Sequence, residues 1–126
     1  MHPFFDRSPW DVAIDLIGKI LKVGDLQGEI TKVRSQGPEE NKNWGDRPLF
    51  ASNSVEAYVA PYRGNHMLFL RTNGTPGANT CVRIDGIRIG DQLFTSTAQV
   101  CRALGINSER TGKVRVAKDV ISVSFP

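Results

Sequence analysis

The side chains able to do chemistry fall into three groups. Arg102, Arg110, Lys113, Arg115 and Lys118 lie within seventeen residues of one another, interleaved with Asn107, Ser108, Thr111 and Gly112. Guanidinium and ammonium groups beside small polar residues and free backbone amides suit phosphate oxygens, the cations giving charge and the amides direction. An exposed, solvated turn carries the same residue types, and the spacing alone does not choose between the two. Trp44 stands between Lys42 and Arg47. An aromatic ring flanked by cations can stack on a nucleic-acid base, or it can pin a long loop to the core. His2, His66, Cys81 and Cys101 form the third group, and they are too few and too scattered for zinc, which needs three or four converging ligands. No metal and no cofactor is expected. Cys101 shares the apolar side of a helical pattern with Ala98 and Leu104, and Cys81 sits in a strand pattern, so both read as buried structural thiols. No Ser-His-Asp arrangement follows from spacing, and the glycine-containing run 74–77 precedes no helix, which a phosphate-cradling loop requires.

The frame for these residues is a chain of 126 residues, expected to form one domain over 1–126. Hydrophobic residues are 40% and charged residues 23%, the balance of a globular protein and too apolar for disorder. Net charge is +3 and uneven: residues 1–63 hold eight Lys/Arg against nine Asp/Glu, and residues 64–126 hold eight against four. A basic second half is what a phosphate-binding face needs. No apolar run approaches the length of a membrane span, so no membrane partner is expected. The opening MHPFFDRSPW lacks a basic stretch followed by an apolar one, so secretion is not expected either. Two cysteines cannot build a disulfide framework. The expected setting is reducing: cytoplasmic or nucleoid-associated.

Ser8-Pro9 is a helix start, a hydroxyl cap followed by a proline at the first helical position. Val12, Ala13, Leu16, Ile17 and Ile20 recur at helical spacing, with Gly18 as a stop. Strands are expected at 19–23, 29–34, 55–60, 67–72, 80–84, 113–117 and 120–125. Residues 35–54 form a long polar stretch, a length that usually serves function. Asp85-Gly86 between two short β-branched runs predicts a hairpin turn. Ser96 caps a second helix through Leu104, stopped by Gly105. The expected class is α+β: a curved, mostly antiparallel sheet with two helices.

The run Phe4 to Ala13, FFDRSPWDVA, followed by LIGK at 16–19, resembles the opening of the alkyladenine (3-methyladenine) DNA glycosylase family, F-F-D-R-S-P-x-x-V-A-x-x-L-L-G-K. GPEE at 37–40 is similar to that family's G-P-E-D. Ala57-Tyr58-Val59 with Gly64 and His66 is similar to its A-Y-V-Y-F-I-Y-G-M-H strand, and QVCRALGIN at 99–107 to its K-L-C-Q-A-L-G-I-D/N helix. The resemblance implies a formyltransferase C-terminal-domain-like fold that binds DNA, flips a damaged purine and hydrolyses its glycosidic bond. That chemistry needs a carboxylate to activate water and aromatic walls to hold the extruded base.

The positions that the resemblance assigns to this chemistry are occupied by other residues. Val33 stands in place of the catalytic acid and Ser35 in place of a stacking tyrosine. Trp44 takes the place of a stacking histidine, Ala60 of a second tyrosine, Leu70 of an asparagine and Asp85 of an arginine. Valine neither accepts a proton nor polarises water, and general-base catalysis contributes roughly 10²–10⁴ in rate. The expectation is therefore a shortened, catalytically inactive module that binds nucleic acid, DNA or RNA, or belongs to a larger assembly containing it. Trp44, Arg47, Arg102, Arg110, Lys113, Arg115 and Lys118 would make the contacts. A second registration sets Ser54 to Tyr58, SVEAY, against the family's E-T-E-A-Y, making Glu56 the acid; Glu29 is the other carboxylate an active enzyme would draw on. In a third alternative the old base pocket, widened by Ser35 and Ala60, holds a small nucleotide or a peptide.

Overall fold

The structure, a computed structural model, describes residues 1–41, 48–52 and 54–126. The chain runs α1 (Pro9–Leu16), β1 (Ile20–Val23), β2 (Leu26–Gln36), α2 (Pro38–Asn41), α3 (Pro48–Ala51), β3 (Ala57–Tyr62), β4 (Asn65–Thr72), β5 (Thr80–Ile89), β6 (Gln92–Phe94), α4 (Thr97–Ala103), β7 (Arg110–Ala117) and β8 (Val120–Ser124). The strands join in the order β2-β1-β8-β7-β3-β4-β5-β6, and β2 pairs again with β5. That last pairing closes seven strands into a barrel, with β6 attached outside it to β5.

Closure, together with the additional short helices α2 and α3, overturns the expected curved, mostly antiparallel sheet with two helices. The physical source of closure is the length of β2. Eleven residues allow Leu26 to Glu29 to pair with β1 while Glu29 to Gln36 pair with β5. One junction is parallel: β1 runs alongside β8, with Ile20 beside Val120 and Val23 beside Val123. A Lys19–Asp119 ion pair at 3.1 Å sits at the head of this junction. A closed barrel has no unpaired edge within its wall, which removes the template for strand-to-strand aggregation.

The predicted hairpin at Asp85-Gly86 is also corrected. Both residues lie inside the continuous β5, and the chain turns at Gly90-Asp91 instead. Gly86 faces a bulged stretch of β2, where the register shifts around Thr31 and Lys32. A Cβ on Gly86 would stand 2.7 Å from the Thr31 Oγ1 and 2.9 Å from the Lys32 Cβ. The glycine is there for a close approach between strands, not for a turn. The bulge reverses the inward parity of β5: Val82 and Ile84 point into the main core before it, Ile87 after it.

That core gathers Leu21, Ile30, Ala57, Val59, Leu68, Leu70, Val82, Ile84, Ile87, Ile121 and Val123 from the strands. Val12 and Leu16 of α1, and Val100, Cys101 and Leu104 of α4, join the same cluster. Ser8 and Ser96 cap these helices, accepting from the Asp11 and Gln99 amides. Ile17 and Ile20 are not on the inward stripe of α1: Ile17 follows the helix in extended geometry and is exposed, and Ile20 begins β1. Where a loop was expected at 35–54, β2 continues to Gln36 and α2 and α3 follow. A second cluster lies outside the barrel wall, where Leu49 and Phe50 of α3 meet Tyr58, Ala60, Phe69 and Cys81. No helix among the described residues is long and apolar enough to cross a membrane.

Candidate nucleic-acid interface

Alternation along β7, β8 and β1 sorts side chains by face. Val114 and Val116, Ile121 and Val123, and Leu21 and Val23 pack on the main core. Their neighbours Lys113, Arg115, Ser122, Ser124 and Lys22 therefore face outward. The register aligns them into rows. Arg115 pairs with Ser122, Ser122 with Lys22, and Lys22 with Gln27 of β2, so these four residues form one line across four strands. With strands about 4.8 Å apart, Arg115 and Lys22 root about 10 Å from each other. The next row places Ala117, Val120, Ile20, Glu29 and Arg88 in sequence. Arg88 and Glu29 approach to 3.8 Å, both half exposed. Lys22, Arg88, Lys113 and Arg115 lie on this outer face together with the carboxylate of Glu29. Among the described residues, Lys22, Lys113 and Arg115 have no ion-pair partner.

The five-cation group of the sequence is thus split. Lys113 and Arg115 share the outward face. Arg110 falls on the inward row at the open end of β7, its guanidinium 5.2 Å from the centre of the Phe125 ring. Arg102, on α4, donates to the Asn65 Oδ1 at 2.7 Å. Lys118 sits in the β7–β8 turn with positive φ. Trp44 and Arg47 lie outside the described residues. Sequence reasoning missed Lys22 and Arg88, although the outward side of Lys22 is legible: Leu21-Lys22-Val23 alternates, and only the parallel pairing of β1 with β8 shows what it stands beside.

The carboxylates considered as acids are otherwise engaged. Glu56 precedes β3 and extends its pairing: its amide donates to the Gly112 carbonyl at 3.0 Å and its Oε1 accepts from the Val114 amide at 3.0 Å. Glu29 belongs to the outer face with Arg88. The positions that the resemblance gave to the glycosylase site do not gather at one place. Val33 and Leu70 pack with the main core, whereas Ala60 belongs to the outer cluster under α3. Ser35 is half-buried on β2. Asp85 is buried, its Oδ1 and Oδ2 accepting from the Arg83 Nε and Nη2 at 2.6 and 2.9 Å.

Both cysteines are free and buried. Burial pushes the Cys81 thiol up to about 12, with the Asn41 hydrogen bond opposing it, and burial pushes Cys101 to about 12 as well. Neither is poised as a nucleophile, which needs the thiolate. No cluster of three or more His, Cys, Asp or Glu at metal-binding distances exists among the described residues.

No protein-family model matches this sequence, and no curated protein matches it significantly. Fold and surface define a class on their own: a closed seven-stranded barrel with a cationic outer wall that no described residue covers.

Proposed function

We propose that this chain is a nucleic-acid-binding module that holds the phosphate backbone on the outer face of β7, β8, β1 and β2 and performs no glycosidic-bond hydrolysis. The observation that carries this reading is the row Arg115–Ser122–Lys22–Gln27, flanked on the same face by Lys113 and Arg88. Cations on long, flexible stems reach backbone phosphates spaced along a strand, and Ser122 and Gln27 add neutral donors between them. Support against hydrolysis comes from the residue types: Val33 replaces an acid, Glu56 is tied into the β3–β7 ladder, and Glu29 faces Arg88. Two free thiols and contact with nucleic acid suit a cytoplasmic or nucleoid-associated setting.

Binding to duplex DNA and to RNA, measured between about 50 and 200 mM salt, tests the reading. Affinity should fall log-linearly with salt, and Lys22→Ala and Arg115→Ala should each flatten the slope by about 0.9 for every phosphate no longer neutralised. Absence of binding at low salt, or slopes that neither variant changes, ends it. Duplex carrying hypoxanthine should be bound and left intact; abasic product above background would return the enzyme with Glu56 or Glu29 as its acid.

A further inference from the structure

Away from the cationic wall, a cavity of about 300 Å³ opens between β2, β4, β5 and the segment 95–98 that leads into α4. Lys32, Tyr62, His66, Met67, Arg83 and Asp85 line it. The volume is at the lower end of the range for small-molecule sites, roughly 300–1,000 Å³.

Arg83 is the organising group. Its Nε and one Nη2 hydrogen engage both oxygens of buried Asp85, a two-point fork that orients the guanidinium plane. Of its five donors three remain, both on Nη1 and the second on Nη2. None of the three meets an acceptor among the described residues. Asp85 is the carboxylate lining this cavity, and Arg83 already balances it. Lys32 is exposed at the rim, and Arg34 is the cross-strand neighbour of Arg83 on β2, so the site keeps an excess of positive charge. Tyr62 supplies the other half of the chemistry. The residue is 53% exposed, with the Arg63 guanidinium 5.1 Å from its ring centre. Met67, partly buried beside it, adds an apolar wall.

We propose that this cavity binds a phosphate monoester carrying a planar aromatic ring, with the phosphate on Arg83 and Lys32 and the ring stacked against Tyr62. A pre-oriented guanidinium with free donors fits a phosphate better than a lone surface lysine, because its geometry is already set before binding. Stacking on an exposed tyrosine accepts any planar ring, so the site selects for the combination and not for one base. This site uses none of Arg115, Ser122, Lys22, Gln27, Lys113 or Arg88, and it stands or falls separately from that reading.

Calorimetric titration of the intact protein with adenosine monophosphate, adenosine and inorganic phosphate tests it. The monophosphate should saturate at millimolar concentration or below, with adenosine and phosphate each at least about tenfold weaker. Tyr62→Ala should cost about tenfold in affinity for the monophosphate. Arg83→Gln should abolish its advantage over adenosine. Because Arg83→Gln leaves Asp85 unpaired and can unfold the chain, Lys32→Ala provides the second variant, with an expected loss of severalfold. The proposal is overturned if the monophosphate does not saturate, if adenosine binds as well, or if Lys22→Ala weakens binding as much as Tyr62→Ala.

Discussion

Two stretches of one barrel wall differ in what lies outside them. On β3, β4 and β5 the outer face is roofed by α3, and consecutive residues are buried on both sides: Ala57 to Ala60, Leu68 to Thr72 and Thr80 to Val82. Arg71 secures the roof, donating from Nη1 to the Ser52 carbonyl at 2.9 Å and to the Leu49 carbonyl at 3.4 Å. The Tyr58 hydroxyl, at the same face, donates to the Glu109 carboxylate. On β7, β8 and β1 nothing covers the outside among the described residues, and outward positions alternate with positions packed on the core. A sheet covered on both faces reads as a continuous apolar run, and one covered on a single face alternates. The contrast separates two duties. The roofed wall holds the fold, and the bare wall can spend its outward positions on charge without loss to the core.

If that division is right, truncation should be costly on one wall and cheap on the other. The largest effect belongs to Phe69→Ala, which removes a fully buried ring between wall and roof; a loss of about 3–5 kcal/mol in chemical denaturation is expected. A loss below about 1 kcal/mol would mean that α3 contributes little.

Alkali should come next. Both thiols ionise near 9 when unfolded and near 12 when folded, so the native state holds its protons longer. The resulting contribution is complete below pH 9 and is lost as pH rises toward 12. Stability measured across this window should fall, and Cys81→Val with Cys101→Val should make the fall shallower. An unchanged slope in the double variant would place the thiols in contact with water.

On the bare wall the sensitive position is a glycine. Gly112 lies so close to β8 that a Cβ would meet the Ser124 carbonyl and stand 2.9 Å from the Phe125 ring. Gly112→Ala should cost about 1–3 kcal/mol by overpacking. The smallest effect on stability should be that of Lys22→Ala or Arg115→Ala, within about 0.5 kcal/mol, while salt-dependent binding to nucleic acid changes clearly. Should either variant unfold the protein, the wall has a structural duty and the comparison collapses.

Much of the secondary structure was legible because its signals are local. Ser8-Pro9 and Ser96 mark helix starts by supplying the cap acceptor themselves, and both helices begin there. The strand runs expected at 67–72, 113–117 and 120–125 show in their composition and alternation, and β4, β7 and β8 lie there. Asp85-Gly86 misled because a turn and a close interstrand approach both call for glycine, and nothing nearby in sequence tells them apart. The basic group at 102–118 misled for a related reason. Proximity along the chain does not fix a face: Arg102 turns to Asn65, Arg110 to the Phe125 ring, and Lys118 falls in the β7–β8 turn.

By itself the sequence determined where α1 and α4 begin, where most of the extended segments lie, which side of β7 and β8 is apolar and that the second half carries the positive charge. These follow from backbone preference and side-chain period, both local properties. Tertiary structure decided that the sheet closes on itself, that α3 roofs one wall and leaves another bare, and that Lys22 joins a row with Arg115. Those outcomes rest on pairing between residues up to a hundred positions apart, such as Ile20 with Val120, and no local pattern records which strand another will choose.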